Sequence, residues 1–260
     1  MSAALAKELE RRIPFPRWSV WRFLLGMRTI AATGQIGDGR EEALADYVAE
    51  HARNGDIDGV LAAIDTFAYE KSFLINIGDE KGQILDAAVR RANPRLALEL
   101  GAYCGYSALR IARAAPRAKV FSVERAAANA AVARRIWTHA GASDRITCLV
   151  GTIGDGGRTL DALTREHGFT TGQLDFVLLD HAKEAYLPDL QSILDRSWLH
   201  RGSIVLADNV KIPGAPGYRR YMRVQQGKLW DTAEHNTHLE YQRLLADLVL
   251  ESEYLGGAPG

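Results

Sequence analysis

From Leu96 onward the chain alternates short apolar runs with helix-compatible segments, and few folds accept that grammar. The runs are "LALEL" (96–100), "KVFSVE" (119–124), "RITCLVG" (145–151), "LDFVLLD" (174–180) and "GSIVLAD" (202–208), each followed by a segment that suits a helix. Apolar runs of this length, separated by helices, pair as a parallel sheet that is covered on both faces. The C-terminal runs "KLWDTAEH" and "DLVLESEYLGG" have no helix of standard length between them and are expected to close the sheet as an antiparallel pair. The reading is an α/β fold: a doubly wound, mostly parallel, seven-stranded sheet.

Residues 1–93 contain no convincing strand. "REEALADYVAEHA" (40–52) and "DIDGVLAAIDTFAYEK" (56–71) place apolar residues at three- and four-residue intervals, and "DEKGQILDAAVRRAN" (79–93) continues the pattern up to Pro94. A helical N-terminal portion packed on the sheet follows. The 260 residues suit one large domain, or one domain with an added arm, and 47% hydrophobic content is ample for its core. Thirty-two basic residues balance thirty-two acidic ones, so bulk attraction to nucleic acid or to an anionic membrane is not indicated. Cys104 and Cys148 are too few for a disulfide framework and read as reduced thiols. Lys7, Glu8, Glu10, Arg11 and Arg12 fall where a signal peptide needs an apolar run. No stretch approaches the roughly 20 apolar residues of a transmembrane helix. A cytoplasmic protein is the expectation.

The stretch "LALELGAYCGYSALRIARAA" (96–115) runs a strand into Glu99, a turn with Gly101 and Gly105, and then a helix. Such a junction lets a ligand approach bare backbone and offers it the helix N-terminus, although a simple strand-to-helix corner would look the same. The next strand ends in Glu124, where an acid can accept hydrogen bonds from both ribose hydroxyls of a nucleoside cofactor. A solvated strand-end acid is the bland alternative. The turn lacks Gly-x-Gly-x-x-Gly, and its Glu-x-Gly opening suits S-adenosylmethionine better than a dinucleotide.

Two further strands end in acids, in "LLDHAK" (Asp180) and "LADN" (Asp208, Asn209). In a parallel sheet these positions share one edge with Glu99 and Glu124. Asp180, Asp208 and Asn209 offer hard oxygen donors that suit Mg²⁺ with room for water or substrate. A lone acid there would more simply cap a helix.

In "AIDTFAYEKSFLINIGDEKGQILD", "LELGAYCGYSALRIAR", "LLDHAKEAYLPD", "LADNVKIPGAPGY" and "HLEYQR" the chain resembles the catechol O-methyltransferases, cation-dependent enzymes that use S-adenosylmethionine. The resemblance spans about residues 55–255. It implies a Rossmann-like methyltransferase domain over 55–260 with a helical extension over 1–54. It also implies Mg²⁺ on Asp180, Asp208 and Asn209, Lys183 as general base on the hydroxyl to be methylated, and Glu240 accepting from the other hydroxyl. Free phenols and lysines titrate at about 10 and about 10.4, so such a proton transfer is nearly balanced. For the cofactor the resemblance implies Glu99, Gly101, Tyr103 and Ser107 near the methionine end and Glu124 on the ribose. His181 would lie beside the adenine, Asp180 would also contact the cofactor, and Asn76 and Ile77 would lay their backbone along it.

The pocket for a catechol would be walled by Phe73, Ile75, Ala182, Pro213 and Leu239. Ala182 stands where relatives commonly have Trp, and Phe73 where another Trp often forms an aromatic gate. Arg125 replaces an apolar residue on the adenine side, and Ile153 replaces a serine that touches adenine. These departures bear on substrate range and cofactor affinity. The neighbouring readings are a cation-dependent enzyme acting on hydroxylated phenylpropanoids or flavonoids, and a non-catalytic adenosyl-binding module. The second gives Lys183 and the metal set no purpose. The aromatic-rich segment "FPRWSVWRFLLGMRTI" (15–30) reads as a helix docked on its own domain or on a second subunit, as a membrane-surface contact, or as a lid.

Overall fold

The computed structural model describes residues 33–257 together with Trp21, Arg22, Leu25, Gly26 and Thr29. Among the described residues, three complete helices precede the first strand: α1 (Arg40–His51), α2 (Ile57–Glu70) and α3 (Gly78–Ala92). The alternation then runs β1 (Leu96–Leu100), α4 (Tyr106–Ala114), β2 (Lys119–Glu124), α5 (Ala127–His139), β3 (Ile146–Val150), α6 (Arg158–Arg165) and β4 (Leu174–Leu179). A 3₁₀ turn (Lys183–Ala185), α7 (Tyr186–Asp195), β5 (Leu199–Ala207), a wide helical turn (Val210–Gly214) and α8 (Pro216–Gln225) follow. The chain closes with β6 (Trp230–His238) and β7 (Ala246–Tyr254).

The seven strands order as β3-β2-β1-β4-β5-β7-β6. The expected antiparallel closure is present: β7 inserts between β5 and β6 and runs antiparallel to both. Because successive strand residues face opposite sides, the apolar runs feed two cores at once. Ala97, Val120, Leu178 and Leu206 face one side with Leu44 and Val48 of α1, Ile64 of α2, Leu85 of α3 and Ile136 of α5. Leu98, Leu100, Val177 and Val205 face the other, with Leu163 of α6, Leu190 of α7 and Met222 of α8. Helix α1 thus buries its apolar stripe in the same core as the sheet, although it precedes residue 55.

Chain order reverses between β1 and β4, and a crevice outside the strand ends is expected at such a point. Local chemistry sets several of the helix starts. Asp56 caps α2 by accepting from the Gly59 N–H, Gly105 enters α4 with φ +85°, and Pro216 opens α8. Among the described residues, no helix is long and apolar enough to cross a membrane. The segment 15–30 lies largely outside the described residues; of those described within it, Trp21 and Leu25 are exposed.

Candidate active site

Glu99 is wholly buried at the end of β1. Its Oε2 accepts from the Ser122 hydroxyl on β2, while its Oε1 has no hydrogen-bond partner. Burial raises its pKa to about 7, opposed by the Ser107 and Ser122 hydroxyls. A buried carboxylate oxygen without a donor is a natural receptor for a ligand ammonium. The turn after it is drawn tight. Gly101 has φ +99°, and a Cβ there would stand 2.2 Å from the Asp180 carbonyl oxygen. The glycine is therefore required by the approach of the β4 end, before any ligand is considered.

Glu124 is 5% exposed, so it is not a solvated strand-end acid. Its Oε2 accepts from the Tyr103 N–H at 2.9 Å and its Oε1 from the Ala126 N–H at 2.8 Å. Both oxygens are thereby held at the β1–β2 edge, each with lone-pair capacity left for a hydroxyl donor. Tyr103 is buried at φ +47° and donates its hydroxyl to Glu41 Oε1 at 3.0 Å, while Ser107 is buried in the first turn of α4. Asn76 and Ile77 are buried just ahead of α3, with Asn76 Oδ1 accepting from the Gly78 N–H. Arg125 is exposed, and Ile153 is buried in the second core. His181 Nε2 lies 2.8 Å from Asp189 Oδ2, and its buried Nδ1 has no partner.

Next to this edge lie the remaining acids. Burial raises the pKa of Asp180, opposed first by Lys183, and that of Asp208 to about 7, opposed by Lys81 and reinforced by Asp180 and Glu240. Asp208 Oδ1 accepts from the Asn209 N–H at 2.8 Å, and its Oδ2 is ion-paired to Lys81 Nζ at 2.8 Å. Asn209, at φ +52°, donates Nδ2 to Glu240 Oε1 and Asp247 Oδ2, which leaves its amide oxygen as the uncommitted end. Among the described residues no three His, Cys, Asp or Glu side chains cluster as metal ligands. Asp180, Asp208 and the Asn209 amide oxygen would be the donors for a cation here. Two mutually repelling carboxylates and an amide oxygen fit a hard divalent ion.

Lys183 is not a solvated helix lysine. Its Nζ donates to Asp180 Oδ1 at 3.1 Å and to the Tyr186 hydroxyl at 2.6 Å, and it stands 4.8 Å from the Tyr186 ring centre. The Tyr186 hydroxyl in turn donates to the Asp208 carbonyl oxygen at 3.0 Å. Glu240 lies in the β6–β7 loop with its side chain 11% exposed, and its Oε1 accepts from Lys81 Nζ at 2.5 Å. Phe73, Ile75 and Leu239 are half-buried, and Ala182 and Pro213 are exposed.

Four participants were not marked by the motifs: Lys81, Tyr186, Asp189 and Asp247. For Lys81 a signal existed, because it shares a helical stripe with Leu85 and Ala88, both buried. Buried against Asp208, Glu240 and Asp247, its pKa is pushed down by burial and raised overall by their charge.

The strand order, with acids at the carboxyl edge beside the switch point, is that of the Rossmann-like methyltransferase fold. Residues 56–225 match the family model described as O-methyltransferase, and the chain belongs to that family. It is 74% identical over 231 residues to "Probable O-methyltransferase Rv1703c" of Mycobacterium tuberculosis, covering 89% of this chain and 99% of that protein. It is 38% identical over 214 residues to the catechol O-methyltransferase of Mus musculus, covering 82% of this chain and 78% of that one. The O-methyltransferase TomG of Streptomyces achromogenes, solved in complex with SAM, shares the fold with a TM-score of 0.60 at 22% identity, covering 75% of this chain and 89% of that one.

Proposed function

We propose that the protein transfers the methyl group of S-adenosylmethionine to one hydroxyl of a catechol-type small molecule, with Mg²⁺ bound by Asp180, Asp208 and Asn209. The observation that carries the reading is the meeting, on one sheet edge, of two acids suited to a nucleoside ligand and a Lys–acid–amide group suited to a diol. The 38% identity to a mouse catechol O-methyltransferase supports the same acceptor class.

When bound, S-adenosylmethionine would supply an electrophilic methyl group, and Mg²⁺, held by Asp180, Asp208 and Asn209, a hard positive charge that favours the ionised form of the acceptor hydroxyl. The protein's own groups do the rest. The unpartnered Oε1 of Glu99 suits the ammonium of the cofactor's methionine end, and Glu124 suits its ribose hydroxyls. Lys183 Nζ, steered by Asp180 and the Tyr186 hydroxyl, takes the proton from the hydroxyl that becomes nucleophilic. Glu240 accepts a hydrogen bond from the neighbouring hydroxyl and fixes the ring's orientation, so positioning supplies much of the rate. Ala182 is small and exposed where relatives commonly have Trp, which supports acceptance of bulkier phenylpropanoid or flavonoid catechols.

The test is incubation with S-adenosylmethionine, a panel of catechols and Mg²⁺, with and without a chelator, followed by product identification. Mono-methylated catechols that disappear with the chelator are expected. Methylation that survives full chelation would remove the metal from the reading, and no product from any vicinal diol would remove the acceptor class.

A further inference from the structure

Lys81 is a buried charged group of this edge that the proposed chemistry leaves unused. Its side chain is 1% exposed, and a lysine is rarely buried so completely unless paired. Its Nζ meets acids from three different segments: Asp208 after β5 at 2.8 Å, Glu240 of the β6–β7 loop at 2.5 Å, and Asp247 at the start of β7 at 3.3 Å. The Asn209 amide grips two of the same oxygens, Glu240 Oε1 at 2.8 Å and Asp247 Oδ2 at 2.9 Å. Asp247 Oδ1 in turn accepts from the Lys211 and Ile212 N–H groups of the turn that carries Pro213. One ammonium therefore ties helix α3 to the base of the diol site.

We propose that Lys81 is the resident counter-cation of this acidic cluster, holding Asp208 and Glu240 in place when no divalent ion is bound and setting how tightly the site takes one. The inference rests on the reading of Asp180, Asp208 and Asn209 as metal ligands. A divalent ion at Asp208 shares a carboxylate with an ammonium already 2.8 Å from its Oδ2. In a buried setting, two positive centres so close repel strongly, and that repulsion weakens metal binding. Without Lys81, the same carboxylates are left uncompensated and have only an incoming cation to neutralise them. Lys81 is in this sense a positioning residue that trades metal affinity for a site already shaped before the metal arrives.

The experiment titrates Mg²⁺ into the metal-free protein by calorimetry and follows the thermal midpoint against Mg²⁺ concentration, for the natural chain, Lys81→Met and Lys81→Arg. Lys81→Met is expected to bind Mg²⁺ at least tenfold more tightly and to gain more in midpoint from Mg²⁺ than the natural chain. Lys81→Arg, which keeps the charge, is expected to retain natural affinity. Should Lys81→Met not fold, Lys81→Met/Asp247→Asn removes one buried charge of each sign and is compared with Asp247→Asn alone, with the same tightening expected. Unchanged or weaker Mg²⁺ affinity on removing the charge overturns the proposal, as does tightening by Arg equal to that by Met. Absence of Mg²⁺ binding in the natural chain and every variant overturns the metal reading itself, and this inference with it.

Discussion

Glu124 has two roles that one substitution can separate. Its carboxylate accepts from the N–H groups of Tyr103 and Ala126, so it clamps the turn between β1 and α4 to the end of β2. The same carboxylate is the proposed acceptor for the cofactor ribose. Hydrogen bonds to a charged partner contribute about 1.5–3 kcal/mol each. Glu124→Ala leaves two buried N–H groups without acceptors, and a stability loss of about 3–6 kcal/mol follows. Glu124→Gln keeps one oxygen for one N–H and turns its amide NH₂ toward the other, so it should lose about half as much. For the ligand, loss of the charged acceptor should weaken S-adenosylmethionine by about 1–3 kcal/mol, roughly five- to 150-fold in Kd. Glu124→Gln is the informative variant because enough fold survives to measure both. Urea unfolding reads the clamp, and calorimetry with S-adenosylmethionine reads the ligand. Reduced stability with unchanged affinity would make Glu124 a clamp only and refute the ribose assignment.

Lys183→Ala should lower turnover by about 10²–10⁴-fold with S-adenosylmethionine affinity kept. A pH–rate profile should recover part of that loss at high pH, where hydroxide replaces a base, but much less of the loss in Asp208→Ala. Gly101→Ala forces a side chain into φ +99° and against the Asp180 carbonyl, so denaturant unfolding should show a loss of about 3 kcal/mol or more. Unaltered stability there would mean the β4 end moves aside. Asp65, half-buried beside the hydroxyls of Tyr241 and Tyr106, has its pKa raised by desolvation to about 6 from the ordinary 3.8. A raised carboxyl binds its proton more tightly in the folded state. Its contribution is therefore most favourable below pH 4 and falls by about 3 kcal/mol as pH rises to 6. Asp65→Asn should remove that slope from stability measured across pH 4–7, and an unchanged slope would assign it to another group.

Much of the fold was legible because strand burial leaves a local trace. "LALEL" and "KVFSVE" coincide with β1 and β2, since each apolar run had to fill both cores. The start of β5 was not legible. It begins at Leu199, ahead of "GSIVLAD", and its pairing with β4 is irregular between Leu174 and Phe176, so polar residues sit inside the strand. Nor was the insertion of β7 between β5 and β6, because hairpin chemistry specifies that two strands pair but not which of them takes the inner place. At the site, motif spacing located the acids at the strand ends, but not what neutralises them. Lys81 meets Glu240 across 159 positions, and Tyr103 meets Glu41 across 62. Contacts of that span follow from packing, and a residue-by-residue reading of local pattern carries no term for them.

The means of neutralisation explains how one edge holds four acids, three of them buried and Asp180 half-buried, without coming apart. Their donors are of two kinds: Glu99 accepts from the Ser122 hydroxyl and Glu124 from two backbone amides, whereas Asp180 pairs with Lys183, and Asp208 with Lys81 and the Asn209 N–H. Neutral donors serve the two acids nearest the glycine turn. They leave negative charge there for a cationic or hydroxyl-bearing ligand, and Glu99 Oε1 is the oxygen left over. Cationic donors serve the other pair, so a lysine already sits against each of those two acids before a ligand arrives. A ligand that brings positive charge should therefore prefer the glycine turn, whereas a divalent ion must displace or repel a lysine to settle on Asp208. That asymmetry predicts an order in binding: the natural chain should take S-adenosylmethionine with or without Mg²⁺, and its Mg²⁺ affinity should increase once a diol is present to share the ion. Calorimetric titrations in both orders check this, and cofactor binding that requires Mg²⁺ would refute the division of charge argued here.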